Sequence, residues 1–400
     1  MSQSSTEIPA RLSPPLRSQP GAVNPVRALQ DFGQSVWLDY LRRALFTSGE
    51  FERLIAEDGL RGITSNPSIF EKAITEGTEY GGAIHELQQH QRMEPIALYE
   101  ALAIREIRAA ADLLQPVYYA TARGDGYASL EVSPYLAHDT AATIDEARRL
   151  WKAVGRDNLM IKVPASIEGL PAIRQLTSEG INVNITLLFG IERYDAVAQA
   201  YLEGLSEFIQ RGGNPWRVSS VASFFVSRID TMVDEMITTR LALLTDPDER
   251  ALLTSLPGTV AIANAKVAYQ HYLAVCQSSA WQALAAKGAR PQRLLWASTS
   301  TKNPRYRDVR YVEELIGRDT VNTMTPATID AFRDHGELRA SVEADVEGAR
   351  HVMEMLSRTG ISLEAVTDSL LEDGITQFSK AFDTLLTALA NDRGTDWIEK

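Results

Sequence analysis

Short apolar and β-branched runs recur along this chain, and stretches with helical apolar spacing separate them. Eight such runs read as strands: 35–40, 62–66, 127–133, 158–164, 182–189, 218–225, 293–298 and 320–324. Runs of this kind alternating with amphipathic stretches point to an α/β fold with a parallel sheet. Eight of them favour a (β/α)8 TIM barrel over a doubly wound sheet, and no Gly-x-Gly-x-x-Gly follows the first. Local rules place a helix after the fourth strand, with Pro171 in its first turn and Gly180 past its end. The long connections at about 67–126 and 226–292 read as helical insertions, with helices predicted over 95–114 and 261–287. Leu363, Val366, Leu370 and Leu371 predict one or two closing C-terminal helices over 361–391, placed to cover a barrel mouth. Residues 1–24, rich in Ser and Pro, are expected to form a flexible tail, which leaves 25–400 as a single barrel domain.

Against this pattern a few polar residues stand out. Lys162 interrupts the apolar run Asn158-Leu-Met-Ile-Lys-Val-Pro164. An ammonium group there carries a large desolvation cost, which favours the neutral, nucleophilic amine. Taken alone, such a lysine is more often paired with an acid or snorkelling from an edge strand. The other strands change that weighing, because active sites of parallel barrels are assembled at the C-terminal ends of several strands. Asp39 lies next to the end of the first, Asn66 ends the second and Glu131 lies two residues before the end of the third. Asn184 and Thr186 share one face of the fifth. Ser223 and Arg228 lie at the end of the sixth, Ser298 and Lys302 at the end of the seventh. Each has a plainer reading: Asp39 as a helix cap, Asn66-Pro67 as a turn, Glu131 as a structural partner of Lys162, Arg228 on a solvated face. Together those readings would crowd one barrel mouth with polar groups to no purpose.

The chemistry these residues imply is aldol. A lysine amine condenses with a ketone to give an iminium, an electron sink that lowers the barrier to C–C cleavage. Cleavage also needs a carboxylate to take a hydroxyl proton, and Asp39 is the candidate. Glu131 and Thr186 would hold a water that moves protons during dehydration of the carbinolamine. An ionised Glu131 in contact with Lys162 would oppose a neutral amine, so Glu131 is expected at a water-bridged distance. Removing a buried amine is expected to leave stability unchanged or raised.

Composition adds bounds. The 400 residues, 44% apolar and 23% charged, are ordinary for a soluble globular chain. A net charge of −12 argues against nucleic acid or an anionic membrane as the main partner, so an anionic ligand needs local cations. Cys276 is the only cysteine, which excludes an intrachain disulfide and a cysteine-rich metal site. No run approaches a membrane span and the N-terminus lacks an apolar signal core, which makes a cytoplasmic location the default expectation.

At these residues the chain resembles the transaldolases, specifically the longer bacterial type, over about 30–390. The resemblance rests on Gly62-Ile-Thr-Ser-Asn-Pro-Ser-Ile-Phe70, Ile161-Lys-Val-Pro-Ala165 and Gly180-Ile-Asn-Val-Asn-Ile-Thr-Leu-Leu-Phe189. It implies a (β/α)8 barrel with Lys162 as the Schiff-base lysine, Asp39 and Glu131 as acid–base groups, and Thr186 positioning water. Asn66 and Asn184 would bind the dihydroxyacetone unit and Ser223 would line the site. The implied reaction moves that unit from sedoheptulose 7-phosphate to glyceraldehyde 3-phosphate, giving erythrose 4-phosphate and fructose 6-phosphate in the non-oxidative pentose phosphate pathway. It implies no metal or organic cofactor, sugar phosphates as partners, and a homodimer as seen among family members. Two stretches depart from the family pattern. Many members read Ser-Pro-Phe-Val-Gly-Arg where this chain has Ser223-Phe-Phe-Val-Ser-Arg228, although the phosphate-binding arginine is kept. Shorter relatives place an arginine soon after the seventh-strand Ala-Ser, where this chain offers Ser298 and then Lys302. The related fructose 6-phosphate aldolases resemble shorter chains with glutamine at the position of Glu131, so length and Glu131 both favour transaldolase. A non-catalytic sugar-phosphate sensor would have lost the lysine or a carboxylate.

Overall fold

The computed structural model describes residues 24–77, 79–90 and 93–391. Its centre is a closed parallel barrel of β1 (Gln34–Asp39), β2 (Gly62–Thr64), β3 (Tyr127–Glu131), β4 (Leu159–Pro164), β5 (Val183–Leu188), β6 (Ser220–Phe225), β7 (Arg293–Ala297) and β8 (Thr320–Met324). Each strand pairs with the next, and β8 closes on β1. The (β/α)8 expectation holds strand for strand. The flexible-tail expectation for 1–24 falls almost wholly outside the described residues; Asn24 is described, and its side chain caps the short helix Pro25–Ala28.

The strands are buried on both faces, which is why they read as near-continuous apolar runs. Gly62 is explained by its neighbour. A Cβ there would lie 2.4 Å from the Trp37 indole, so the fully buried tryptophan occupies space that any side chain on β2 would take. Several strands end earlier than the apolar runs suggest. Ser65 and Asn66 leave the sheet because Asn66 accepts from the Ile69 N–H and caps the helix Pro67–Glu76. Asn182 precedes β5 and donates its amide to the carbonyls of Asp157 and Leu159.

The insertions are helical, with two departures from expectation. The helix begun at Pro95 runs to Ala120, through Pro116 and beyond the expected end at 114. A proline inside a helix removes one hydrogen bond, but this last stretch is held from outside: Tyr118 is buried edge-on against Tyr127 of β3. The expected 261–287 helix is two helices, Val260–Gln277 and Ser279–Ala285, broken at Ser278, whose extended backbone and hydroxyl cap the second. Asn264 in the first donates to the Phe189 carbonyl just past β5, tying this insertion to the upper rim.

A single closing helix, Leu363–Asn391, lies across that rim. Phe382 packs edge-on against Tyr99 and Asp368 pairs with Arg193 at 3.6 Å. Gly374 lets the helix backbone approach β5, since a Cβ there would lie 2.7 Å from Leu187. Leu187 itself has a left-handed backbone (φ 54°) where the β5–β6 register shifts, a conformation that costs on the order of 1–3 kcal/mol in a residue other than glycine. Among the described residues no single helix is long and apolar enough to cross a membrane.

Candidate active site

Strand register gathers the predicted residues. Glu131 of β3 pairs directly with Lys162 of β4, and Lys162 with Asn184 of β5. Thr186 lies two residues further along β5, so it shares the Asn184 face. On the other side of the barrel, Asp39 of β1 pairs with Thr64 of β2.

Lys162 is 4% exposed, and its Nζ donates to the Ser65 carbonyl at 3.1 Å. It lies 3.4 Å from Glu131 Oε2, an ion-pair distance. This corrects the water-bridged separation expected from sequence. Strand register is the reason: residues paired across neighbouring strands project from the same face of the sheet at the spacing of adjacent side chains. Burial raises the Glu131 carboxyl above its ordinary value; Lys162 acts against that and Asp39 adds to it. Glu131 Oε2 and Thr186 Oγ1 are both buried without a protein hydrogen-bond partner.

Asp39 accepts from the Thr64 hydroxyl at 2.9 Å, and that hydroxyl also meets Thr323. Burial raises the Asp39 carboxyl, with Lys162, Thr64, Lys302 and Arg228 opposing. Three cations thus act on one carboxylate at the mouth. Asn184 is fully buried, donating to Ser129 at 3.0 Å and accepting from Ser223 at 2.6 Å. Asn66 spends its side-chain oxygen on the helix cap, so its NH2 group is the part left to bind a ligand.

The two predicted phosphate cations act on each other. Burial holds the Arg228 guanidinium below its ordinary value, with Asp39 and then Asp373 of the closing helix opposing. Burial holds the Lys302 ammonium down as well, and Arg228 adds to the effect. Arg228 stacks over Phe225 at 5.7 Å and has no carboxylate at ion-pair distance among the described residues. Ser298 has a left-handed backbone (φ 56°), and its hydroxyl meets Ser227, next to Arg228, at 3.0 Å. The Lys302 loop is pinned by Tyr306, which donates to the buried Asp234 at 2.5 Å.

Of the ten residues singled out from sequence, Asp39 and Glu131 end their strands, Lys162, Asn184, Thr186 and Ser223 lie within theirs, Asn66, Ser298 and Lys302 follow β2 and β7, and Arg228 lies in the first turn of the helix Ser227–Leu243 after β6. Sequence reasoning passed over Thr64, Ser129, the Ser65 carbonyl and Asp373. Ser129 had a signal, since it lies two residues before Glu131 on the same strand face. Thr64 lies inside a stretch already singled out. A main-chain carbonyl and a residue reaching in from a distant helix leave no trace in strand periodicity.

The arrangement is suited to forming an iminium beside two carboxylates, with a cationic edge for an anion. Comparison with known proteins agrees. The family model described as Transaldolase/Fructose-6-phosphate aldolase matches residues 36–389. The chain is 49% identical over 368 residues to the transaldolase of Trichodesmium erythraeum, covering 92% of this chain and 97% of that one. It is 48% identical over 371 residues to transaldolase 2 of a Nostoc species, covering 92% and 97%. It is 45% identical over 367 residues to the transaldolase of Thiobacillus denitrificans, covering 92% and 100%. The chain belongs to the transaldolase/fructose-6-phosphate aldolase family.

Proposed function

We propose that this chain is a transaldolase, moving a dihydroxyacetone unit from sedoheptulose 7-phosphate to glyceraldehyde 3-phosphate through a Schiff base on Lys162. The observation that carries the reading is the buried Lys162 amine, 3.4 Å from Glu131, in a mouth shared with Asp39. The amine adds to the ketone carbon of the donor, and loss of water from the carbinolamine gives the iminium. Glu131 Oε2 and Thr186 Oγ1, both buried without a protein hydrogen-bond partner, hold the water that carries these protons. Asp39 takes the proton from the hydroxyl two carbons from the iminium carbon. The C–C bond between them breaks, its electron pair moves towards the iminium nitrogen, and the aldehyde leaves. The enamine left on Lys162 attacks the acceptor aldehyde, and hydrolysis returns the free lysine. Asn184 and the Asn66 amide bind the hydroxyls of the retained unit, with Ser129 and Ser223 fixing Asn184. Arg228 and Lys302, with Ser298 at their edge, hold the phosphate. Arg228 and Lys302 supply the local cations that an anionic substrate needs in a chain of net charge −12.

Borohydride added with fructose 6-phosphate should fix a three-carbon adduct on Lys162, read by peptide mass spectrometry. An adduct on another lysine, or none, would remove the Schiff-base assignment. Release of free dihydroxyacetone at the full rate without an acceptor aldehyde would assign the aldolase branch of the family instead.

Arg228→Ala should raise KM for fructose 6-phosphate about ten- to a hundredfold with a smaller change in kcat. That is the scale of losing charge-assisted phosphate hydrogen bonds worth about 1.5–3 kcal/mol. Steady-state kinetics with an unchanged KM would take Arg228 out of the phosphate site.

A further inference from the structure

The end of the barrel opposite Lys162 is open and polar. A cavity of about 500 Å³ lies among the first residues of β1, β3, β6 and β7, within the ~300–1,000 Å³ range of small-molecule sites. Barrels of this class fill their interior with branched apolar side chains, whereas Ser35, Tyr127 and Arg293 line this lower end.

The cavity wall carries Arg61, Arg290 and Arg293 against Asp125 and Asp319. Asp125 is already shared. It accepts from Arg293 at 2.8 Å, Arg61 at 3.5 Å, the Ser35 hydroxyl at 2.7 Å and the Trp37 indole at 3.2 Å. Asp319 is exposed at the rim. Arg290 has no carboxylate at ion-pair distance among the described residues; it stacks over Trp216 at 4.0 Å and donates to the main-chain carbonyls of Ala122 and Trp216. Burial holds its guanidinium below the ordinary value, and Arg123 acts in the same sense. An oriented, half-buried guanidinium without a counter-ion is a ready partner for an oxyanion.

A second observation is independent of charge. Gln34, 1% exposed, lines the cavity and donates its amide to the Leu315 carbonyl and the Thr320 hydroxyl, while its Oε1 is buried without a partner. A buried acceptor at a cavity calls for a donor, and a hydroxyl supplies one.

We propose that this lower cavity binds a small oxyanion bearing hydroxyl groups, a phosphate ester or a hydroxy acid, with Arg290 and Arg293 on the anion and Gln34 accepting from a hydroxyl. The site shares no residue with the aldol centre and is a second small-molecule site on the same barrel.

The test is calorimetric titration of the full-length Arg228→Ala protein, whose upper phosphate grip is weakened, with glycerol 3-phosphate and, separately, with glycerate. Saturable binding at about 1 mM or tighter is expected for at least one of them, with a matching rise in Tm. The tighter of the two identifies the anion as phosphate or carboxylate. Arg290→Ala should weaken that binding at least about tenfold. Ala120→Glu is the second variant: Ala120 is exposed on the cavity wall, so the change adds a carboxylate without removing a contact. It should abolish the binding and, in an otherwise unaltered chain, leave fructose 6-phosphate turnover within about twofold, since it touches no catalytic group. No saturable binding of either probe, or binding that survives Ala120→Glu, overturns the proposal.

Discussion

Lys162→Ala is expected to lower kcat by about 10⁶-fold, the scale on which removing a covalent nucleophile acts, or about 8 kcal/mol of transition-state stabilisation. Arg228 cannot replace the amine, because a guanidinium stays protonated, and Lys302 lies in the loop after β7 rather than on the strand that carries Lys162. The structure also reverses the stability expected from a buried amine taken alone. Lys162 is the cation 3.4 Å from Glu131, so its removal strands a carboxylate that is 6% exposed. Breaking one side of a buried pair costs about 3–5 kcal/mol. The sign with pH follows from Glu131. Its folded carboxyl is already raised by burial, and losing Lys162 removes the charge that opposes this, so it rises further. A carboxyl raised in the folded state favours folding at low pH, and that contribution is lost as pH climbs through the raised value. Urea denaturation should therefore show Lys162→Ala close to the parent at acid pH and less stable near neutrality. Replacing both partners, as Lys162→Met with Glu131→Gln, should recover most of the loss. A single variant as stable as the parent at pH 7 would mean that the pair carries no structural load.

How far the sequence announced this site depends on which link is asked about. The apolar runs located all eight strands because a parallel barrel buries both faces of each strand, and burial is what hydropathy records. Strand order then put Asp39, Glu131, Lys162, Asn184 and Ser223 at one end without any coordinate, since period-two alternation ties each to a face. Distance was not legible. Whether Glu131 touches Lys162 or stands a water away depends on the β3–β4 register, which two apolar runs do not specify. Helix ends were misread at Pro116 and Ser278 for different reasons: a tertiary contact, Tyr118 on Tyr127, overrode the local rule in one, and a local side-chain cap imposed a break in the other. The lower cavity was invisible, because Arg61 lies far in sequence from Arg290 and Arg293 and meets them only when the barrel closes.

Asp39→Asn separates the two carboxylates by function. Asparagine keeps the size of Asp39 and its contact with Thr64 but cannot take a proton, so C–C cleavage should slow by about 10²–10⁴-fold, the usual worth of a general base. Condensation on Lys162 does not use Asp39. Borohydride with fructose 6-phosphate should still label Lys162 in this variant, whereas loss of labelling would move Asp39 into the condensation step. The pH profile gives an independent readout. Asp39 must be ionised to act, and burial raises its carboxyl above the ordinary range despite Lys162, Thr64, Lys302 and Arg228. Activity of the parent should therefore fall on the acid side at a pH above that of an exposed aspartate, and this limb should flatten in Asp39→Asn. Because Glu131 also acts on Lys162, the acid limb of the parent belongs to the coupled set, and the part that survives in the variant reports Glu131. Stability should move the other way from activity. An acid raised by folding destabilises the folded state once it ionises, so the neutral amide should leave the chain as stable as the parent or more so at pH 7. A variant that keeps more than about a tenth of the parent kcat would transfer the base role to Glu131, the other carboxylate in the mouth.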